Sequence, residues 1–295
     1  MRAAERLRAT LAGVDTPCIQ GGPMFENSQI AFVGAGTMGE AMIQAMLARS
    51  LVTPYQVAAS DALPTRCQEL SDRHGIRTAV DNAAIVAEAE IVILAVKPQV
   101  LPIVLGDLKG KMRPGVLVLS IVAGARLSTL VDGLQVPAIV RAMPNTPAQI
   151  GEGITVWIAT DAVSGEQRGQ AEAILQAMGK AIYVHDERQL DMATALSGSG
   201  PAYVFLVMEA MVDAGVRLGF ARPIAEELVI QTVLGSARFA SQSGKHLAEL
   251  RSMVTSPGGT TAEALYRLEK GAVRAVIGEA IAAAYEKSCL LAETR

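Results

Sequence analysis

Two glycine-rich stretches contain residue types and spacings that could hold charged groups. The first, "VTSPGGTTAEAL" at residues 254–265, places a proline, two glycines and several hydroxyl side chains directly before a helical pattern. Glycines at a helix N-terminus leave backbone N–H donors open, and added hydroxyl groups suit a carboxylate or a phosphate. Thr260 and Glu263 fit a T-x-x-E capping box, which would give those two side chains a structural role. The pattern alone leaves an anion site and an ordinary turn as alternatives.

The second stretch is a dinucleotide-binding fingerprint. An apolar run, Ile30–Val33, is followed by Gly34, Gly36 and Gly39 in the G-x-G-x-x-G spacing and then by an amphipathic pattern. In such a strand–turn–helix unit, the first glycine permits the tight turn and the second lets the backbone approach a pyrophosphate. The third allows the helix to pack closely on the strand. We favour this interpretation over a purely structural glycine turn.

The elements around the fingerprint predict an α/β fold. Apolar strands alternate with helical segments as far as about residue 185, which is typical of a Rossmann-type parallel sheet covered by helices. Asp61 closes the second strand, where an acid usually binds the ribose 2′-hydroxyl and favours NAD(H). Ser60 and Arg66 could instead hold the 2′-phosphate of NADP(H). Asp61 as a simple turn cap is the structural alternative, and these residues leave the choice of cofactor open.

The second half of the chain is predicted to be all-α. After His185 we find helical patterns, and the segment "LSGSGPAYVFLVMEAMVDAGVRLGF" predicts a Ser/Gly loop followed by a helix that is apolar on nearly every side. Such a helix must be buried in a core or in a subunit interface, so we expect an oligomer. Glu209 and Asp213 share its polar face, where a solvated stripe or capping of a neighbouring helix is favoured over acid–base chemistry. The predicted domains are a disordered extension at 1–23, a dinucleotide-binding domain at 24–185 and an all-α domain at 186–295.

Composition argues against several classes of protein. The net charge is only −3 and aromatic residues make up 4% of the chain, which does not favour nucleic-acid binding. The three cysteines, Cys18, Cys67 and Cys289, are widely spaced, which favours a reducing compartment over disulfides or a zinc cluster. The sequence contains no run of about 18 apolar residues, so it predicts no membrane span. We therefore expect a protein of a reducing compartment, without a membrane span or a bound metal.

Six segments, in this order along the chain, resemble those of pyrroline-5-carboxylate reductases. They are "VGAGTMGEAMIQAML", "ILAVKPQV", "SIVAGARL", "IVRAMPNTPAQIGEGIT", "LSGSGPAYVFLVMEAMVDAGVRLG" and "VTSPGGTTAEALYRLEKGAVRAVIGEA". The resemblance covers about residues 30–290. It implies reduction of 1-pyrroline-5-carboxylate to L-proline, the last step of proline biosynthesis, with NADPH, or alternatively NADH, as hydride donor. It also implies a soluble, cytoplasmic enzyme. Its C-terminal domain would bind substrate and form a homodimer by interleaving its helices, with dimers assembled into a decamer.

The resemblance further assigns roles to individual residues. The cofactor would contact Val33, Gly34, Ala35, Gly36, Thr37, Met38, Ser60, Asn82, Ala95, Val96, Lys97, Pro98, Ile121, Val122 and Ala123. The substrate carboxylate would bind the loop that contains Ser256, Gly258, Gly259, Thr260 and Thr261. Thr261 is the implied catalytic residue, with its hydroxyl near the ring nitrogen. Because a protonated cyclic imine is already electrophilic, hydride transfer needs mainly positioning.

Other interpretations stay open. Lys97 as a catalytic acid is less favoured than a loop-shaping role, and Asn145 is favoured as a turn residue over a nicotinamide or loop anchor. A β-hydroxyacid dehydrogenase shares the two-domain plan, but residues 202–218 lack the lysine that its chemistry requires. A non-catalytic NAD(P)-binding regulator would not need the second anion-binding loop. A reductase that acts on a different imine is harder to distinguish by sequence from a pyrroline-5-carboxylate reductase. Lys245 and Leu247 depart from the acid and the proline that the family often has, which leaves substrate affinity open.

Overall fold

The computed structural model describes residues 23–293, which divide into two compact units. The first unit includes the chain up to Ala142 together with Pro147–Tyr183. The second includes Met143–Thr146 and the chain from Val184 onward. The sequence patterns placed the division two residues later and gave no indication that 143–146 joins the second unit. The extension predicted at 1–23 lies, apart from its last residue, outside the described residues.

The first unit is built on one eight-stranded sheet with the strand order β3-β2-β1-β4-β5-β6-β7-β8. The strands are Ile30–Val33 (β1), Val57–Ser60 (β2), Arg77–Ala79 (β3), Ile91–Leu94 (β4), Leu117–Ser120 (β5), Ile139–Met143 (β6), Gly153–Ala159 (β7) and Gly179–Tyr183 (β8). Strands β1 to β6 pair in parallel, and so do β7 and β8. Thr160, just beyond β7, donates its N–H to the carbonyl of Ile139 at the beginning of β6 (2.9 Å), so β7 runs against β6. The predicted parallel sheet is confirmed as the dominant arrangement, and the antiparallel placement of β7 and β8 was not predicted.

Helices cover both faces of this sheet. They are Thr37–Ala48 (α1), Pro64–His74 (α2), Asn82–Val86 (α3), Leu101–Leu108 (α4), Leu127–Leu134 (α5) and Gly165–Gln176 (α6). Successive strand residues enter opposite cores: Ile30 and Phe32 pack in one apolar cluster, and Ala31 and Val33 pack in the other. This alternation explains why the central strands are apolar throughout. Strand β3 was not predicted, because its three residues form a partly exposed edge strand without an apolar run.

The second unit is all-α, as predicted. Its helices are Arg188–Ala193 (α7), Gly200–Arg217 (α8), Arg222–Ser243 (α9), Leu247–Met253 (α10), Thr260–Lys270 (α11) and Val273–Glu293 (α12). The Ser/Gly loop predicted before α8 is wrong, because a π-helical turn at Thr194–Gly198 continues α7 almost directly into α8. The hydroxyls of Thr194 and Ser197 donate to the carbonyls of Leu190 and Ala193 (2.8 and 3.0 Å), so these polar side chains are satisfied within helical backbone.

The second unit has a small core in the single chain. Val212, Ala225 and Val229 form its buried apolar cluster, whereas Phe205 and Leu206 on α8 are 62% and 66% exposed. Among the described residues, the helical stretch Arg188–Arg217 is long and apolar enough to cross a bilayer, with a mean hydropathy of 1.3. A helix that is covered by a second subunit meets the same test of length and composition. The exposed apolar face therefore calls for a partner surface.

Candidate functional site

The glycine turn after β1 has a backbone that only glycine fits. Gly34 has φ +85° and donates its N–H to the carbonyl of Ser60 at the end of β2 (3.0 Å). A Cβ atom added to Gly34 would lie 2.6 Å from Cγ1 and 2.9 Å from the backbone N of Val96. A Cβ on Gly39 would lie 2.8 Å from the carbonyl oxygen of Gly34. These two glycines therefore allow the turn, the start of α1 and the end of β4 to approach one another.

The N-terminus of α1 fits a dinucleotide pyrophosphate. Gly36 is the N-cap residue, and no side chain caps the helix. A Cβ atom on Gly36 would meet no atom within 4 Å, so open space lies beside this backbone position. An uncapped helix N-terminus with an open glycine is the arrangement that binds phosphate groups in dinucleotide folds.

The fifteen residues predicted to contact the cofactor all lie at one edge of the first unit. They occupy the carboxyl ends of β1 and β2, the turns after β1, β4 and β5, and the first residues of α1 and α3. The register places Val33 beside both Ser60 and Leu94, and Leu94 beside Ser120. The buried hydroxyl of Ser60 donates to Oδ1 of Asn82 (2.7 Å), which ties α3 to the end of β2.

Asp61 connects the glycine turn to the turn that follows β2. Its Oδ2 accepts a hydrogen bond from the N–H of Ala35 (3.3 Å), and its Oδ1 accepts one from the N–H of Leu63 (3.1 Å). The carboxylate therefore lies beside the glycine turn, where an acid can reach an adenosine ribose. It also acts as a turn cap, so the two roles considered for this residue are compatible.

A cluster of charged side chains joins α1 to α2 next to this turn. Glu40 binds Arg66 through Oε2 (2.6 Å), and its Oε1 contacts Nε2 of His74 (3.0 Å) and Nη1 of Arg73. Burial alone would raise the pKa of Glu40, but hydrogen bonds from Arg66, His74 and Arg73 outweigh it and hold the pKa at about 2, below the usual 4.5. Arg66 also donates from Nε to the carbonyl of Ala35 (2.9 Å). Sequence reasoning missed Glu40, because its three partners are 26 to 34 residues away along the chain.

In the second unit, the stretch at 256–259 forms a tight turn before α11. Gly258 has φ +69°, and the N–H of Gly259 donates to the carbonyl of Ser256 (3.1 Å). A Cβ atom on Gly259 would collide with Oγ of Ser256. Glycine at 259 therefore lets the Ser256 side chain lie directly against the helix N-terminus.

The capping box predicted for Thr260 and Glu263 is wrong. Gly259, with φ −81° and ψ 170°, is the N-cap residue of α11, so Thr260 is already the first helical residue. The carboxylate of Glu263 accepts instead from Nε of Arg267 one turn later (3.0 Å). No side chain caps α11, and its first turn presents backbone N–H groups together with the hydroxyls of Thr260 and Thr261. This is the second uncapped, glycine-preceded helix N-terminus among the described residues with the chemistry to bind an anion.

The structure shows the surroundings of Lys97 and Asn145, whose roles the sequence left open. Lys97 is exposed and precedes the short 3₁₀ turn Pro98–Val100, which agrees with its loop-shaping role. Asn145 donates from Nδ2 to the carbonyl of Ser197 (3.2 Å), so it anchors the segment after β6 to the π-helical turn of the second unit.

Comparison with known proteins decides the family. The family model for pyrroline-5-carboxylate reductase dimerisation matches residues 187–291, and a model described as NADP oxidoreductase, coenzyme F420-dependent, matches residues 29–124. A curated pyrroline-5-carboxylate reductase from Methanosarcina acetivorans is 43% identical over 264 residues, which are 89% of this chain and 97% of that protein. The chain belongs to the pyrroline-5-carboxylate reductase family.

Solved structures of the family share the fold over almost their full length. A pyrroline-5-carboxylate reductase from Coxiella burnetii superposes with a TM-score of 0.84 at 36% identity, covering 90% of this chain and 99% of that one. The Plasmodium falciparum pyrroline carboxylate reductase, solved with NADP bound, gives a TM-score of 0.83 at 30% identity, with the same coverage. The predicted resemblance and fold class are confirmed.

The family assignment also accounts for the exposed face of the second unit. The dimerisation model spans residues 187–291, and within this range large apolar side chains are exposed on α8 to α12, among them Phe205 and Leu206. A second copy of the chain would cover that face, as a homo-oligomer requires.

The positions that depart from the family pattern have local partners. His246 is the N-cap of α10 and accepts from the N–H of Ala248 through Nδ1 (3.2 Å). Lys245 pairs with Glu249 (2.7 Å). On α8, Asp213 pairs with the side chain of Arg222 at the start of α9 (2.9 Å), which is an ion pair and not the cap of a neighbouring helix that the sequence suggested.

Metal-binding clusters and free thiols are two further kinds of group that could carry chemistry. Among residues 23–293, no group of three or more His, Cys, Asp and Glu side chains is arranged to hold a metal ion. Cys67 is buried and Cys289 is half-buried, and both are free thiols.

Proposed function

We propose that this protein reduces 1-pyrroline-5-carboxylate to L-proline with hydride from NAD(P)H. The observation that carries the proposal is the pair of uncapped helix N-termini, each preceded by a glycine turn, in a chain of this family. The turn at Gly34–Gly39 suits the pyrophosphate of a dinucleotide, and the turn at 256–259 suits the carboxylate of an imino acid.

The first unit would hold the cofactor along the carboxyl ends of its strands. The N–H groups at the start of α1 bind the pyrophosphate, and the end of β2 with Ser60, Asp61 and Asn82 surrounds the adenosine ribose. The turns after β4 and β5, at Ala95–Pro98 and Ile121–Ala123, line the remaining part of the cofactor site. When bound, the nicotinamide cofactor supplies the hydride. The residues at these turns contribute position and shape, and Lys97 shapes its loop through the backbone.

The second unit would hold the substrate. The backbone N–H groups of the first turn of α11 and the hydroxyl of Ser256 bind the carboxylate, and Gly258 and Gly259 leave room for it. Thr261 hydrogen-bonds to the ring nitrogen, which is protonated in the imine and becomes the amine of proline. This contact fixes the face of the ring that the electrophilic carbon presents, so turnover depends on orientation rather than on a general base.

The competing oxidation of a β-hydroxyacid lacks its base in this chain. Helix α8, the long helix that follows the dinucleotide domain, contains no lysine between Gly200 and Arg217.

We also propose that the protein works in the cytoplasm as a homodimer and that dimers assemble into a decamer. Light scattering of the purified protein would give the number of 30.9 kDa chains per particle.

The assay follows nicotinamide absorbance after the protein is mixed with 1-pyrroline-5-carboxylate and NADH or NADPH. We expect oxidation with at least one cofactor, and its absence with both would reject the proposal. Thr261→Ala should lower kcat by one to two orders of magnitude, roughly 1–3 kcal/mol, because one hydrogen bond at the reacting centre is lost. Thr261→Ser keeps the hydroxyl and is the matched control, which should retain most of the parent activity. Equal kinetics for the parent and Thr261→Ala would remove Thr261 from the mechanism.

A further inference from the structure

The Glu40 cluster lies beside the part of the site that distinguishes NADH from NADPH. The two cofactors differ by one phosphate, on the 2′-oxygen of the adenosine ribose, which binds next to the residue that closes β2. In this chain that residue is Asp61, whose carboxylate is held against the glycine turn by the N–H of Ala35. A dianionic phosphate at this position needs a cation to offset the nearby carboxylate.

Arg66 is the arginine whose guanidinium lies against the glycine turn, and each of its three nitrogens already donates to a partner, which uses three of its five N–H donors. Its Nε donates to the carbonyl of Ala35 (2.9 Å), its Nη1 to Glu69 (3.1 Å) and its Nη2 to Glu40 (2.6 Å). The side chains of Arg66 and Glu40 are 19% and 16% exposed, so this pair is mostly shielded from water, whereas Glu69 is 56% exposed. A shielded pair is held more firmly than a solvated one.

Glu40 is itself fixed from its other side. Its Oε1 contacts His74, whose side chain is 9% exposed, and Arg73, so the carboxylate is anchored to the last turn of α2 while Arg66 extends from the first turn. Glu40 belongs to the first turn of α1, and its N–H donates to the carbonyl of Gly36 in the glycine turn (2.9 Å). The cluster therefore fixes the guanidinium relative to the cofactor-binding backbone.

We propose that Glu40 is a positioning residue for cofactor selectivity, which holds Arg66 away from a 2′-phosphate so that NADH is the preferred hydride donor. This inference rests on the proposed function, since it places the adenosine ribose beside Asp61. It departs from the NADPH that the family resemblance implied. Glu40 touches neither substrate nor cofactor and acts through Arg66, while Asp61 supplies the direct repulsion.

Equilibrium binding tests the proposal without the reaction. Titration calorimetry on the full-length protein would measure 5′-AMP and 2′,5′-ADP (adenosine 2′,5′-bisphosphate), which differ only by the 2′-phosphate. The parent should bind 5′-AMP at least about tenfold more tightly than 2′,5′-ADP. Glu40→Gln removes one charge at nearly constant shape and should shift the ratio of the two dissociation constants about tenfold towards 2′,5′-ADP. The ratio of kcat/KM for NADH and NADPH should move in the same direction.

Two further variants isolate the cause. Glu69→Gln removes the exposed partner of Arg66 and is the matched control, with an expected change of less than about twofold. In the double variant Glu40→Gln with Arg66→Ala, the gain in 2′,5′-ADP affinity should disappear, because the released guanidinium is gone.

The proposal is overturned if the parent binds 2′,5′-ADP more tightly than 5′-AMP, or if Glu40→Gln leaves the ratio unchanged. An equal shift in Glu69→Gln would also overturn it. If Glu40→Gln does not fold, Arg66→Ala is the deciding variant. A selective loss of 2′,5′-ADP affinity would show that Arg66 binds the 2′-phosphate in the parent and would overturn the proposal. An unchanged ratio of the two dissociation constants supports the proposal. A protein that binds these ligands as expected but reduces no 1-pyrroline-5-carboxylate would instead contradict the proposed function alone.

Discussion

Gly34 and Gly36 lie two residues apart, yet replacing each with alanine should give opposite results. Gly34 has φ +85°, a conformation that costs an L-residue about 1–2 kcal/mol. Its added Cβ would also lie 2.6 Å from Cγ1 of Val96, 2.9 Å from Val96 N and 3.0 Å from the carbonyl carbon of Ala95. Because two of these atoms belong to the backbone, the turn after β4 must move, and overpacking of this kind costs about 1–3 kcal/mol. Gly34→Ala should therefore lower the free energy of unfolding by about 2–5 kcal/mol.

Gly36→Ala is the matched comparison. No atom lies within 4 Å of its added Cβ, and its φ of −68° suits any residue, so the fold should lose about 1 kcal/mol or less, the cost of a poorer N-cap. The new methyl group occupies the space through which the pyrophosphate approaches α1, so NADH affinity should fall at least about tenfold.

Both effects can be measured on the same samples. Urea unfolding followed by circular dichroism, at one fixed protomer concentration, gives the stability, and quenching of the single Trp157 or calorimetry gives NADH binding. An unchanged urea midpoint in Gly34→Ala would refute the argument from backbone strain. Undiminished NADH affinity in Gly36→Ala would refute the placement of the pyrophosphate at this turn.

Two other measurements follow from the charged cluster and from the apolar face. Because the pKa of Glu40 is held at about 2 when folded and is near 4.5 when unfolded, its stabilisation is complete above pH 4.5 and is lost as the pH falls towards 2. The stability difference between the parent and Glu40→Gln should therefore shrink by about 1 kcal/mol from pH 6 to pH 3.5, and a constant difference would contradict the linkage. Phe205→Glu places a charge on the exposed face of α8 and should reduce the particle mass in light scattering, whereas Ile103→Glu, at a 72% exposed position of the first unit, should not. Particles of unchanged mass in Phe205→Glu would exclude this face from the interface.

The dinucleotide fold could be predicted because its signals are local. The strand Ile30–Val33, the glycine spacing and the helix after it all lie within about twenty residues, and every central strand is an apolar run. The ends of these strands meet at one edge by the topology of a parallel sheet, so the candidate cofactor residues could be placed without coordinates.

Features that depend on distant contacts or on a single backbone angle could not be predicted. The capping box failed because Gly259, and not Thr260, adopts the extended conformation that an N-cap requires, and both residue types are common at the N-cap. The Ser/Gly stretch before α8 reads as a loop, but hydroxyl groups bonded to the preceding turn keep it helical. The Glu40 cluster forms only when α1 and α2 pack side by side, and the residues near Glu40 in the sequence do not predict that packing.

The segment Met143–Thr146 affects how the two units can be exchanged between related proteins. The chain contributes these four residues to the second unit, returns to the first for β7, α6 and β8, and enters the second unit again at Val184. A chimaera joined at 183/184 would therefore keep Asn145 from one parent and take its acceptor, the backbone carbonyl at position 197, from the other. Because any residue supplies that carbonyl, exchange of C-terminal helices between relatives should tolerate a change at 197 but depend on asparagine at 145 in the parent that contributes the first unit.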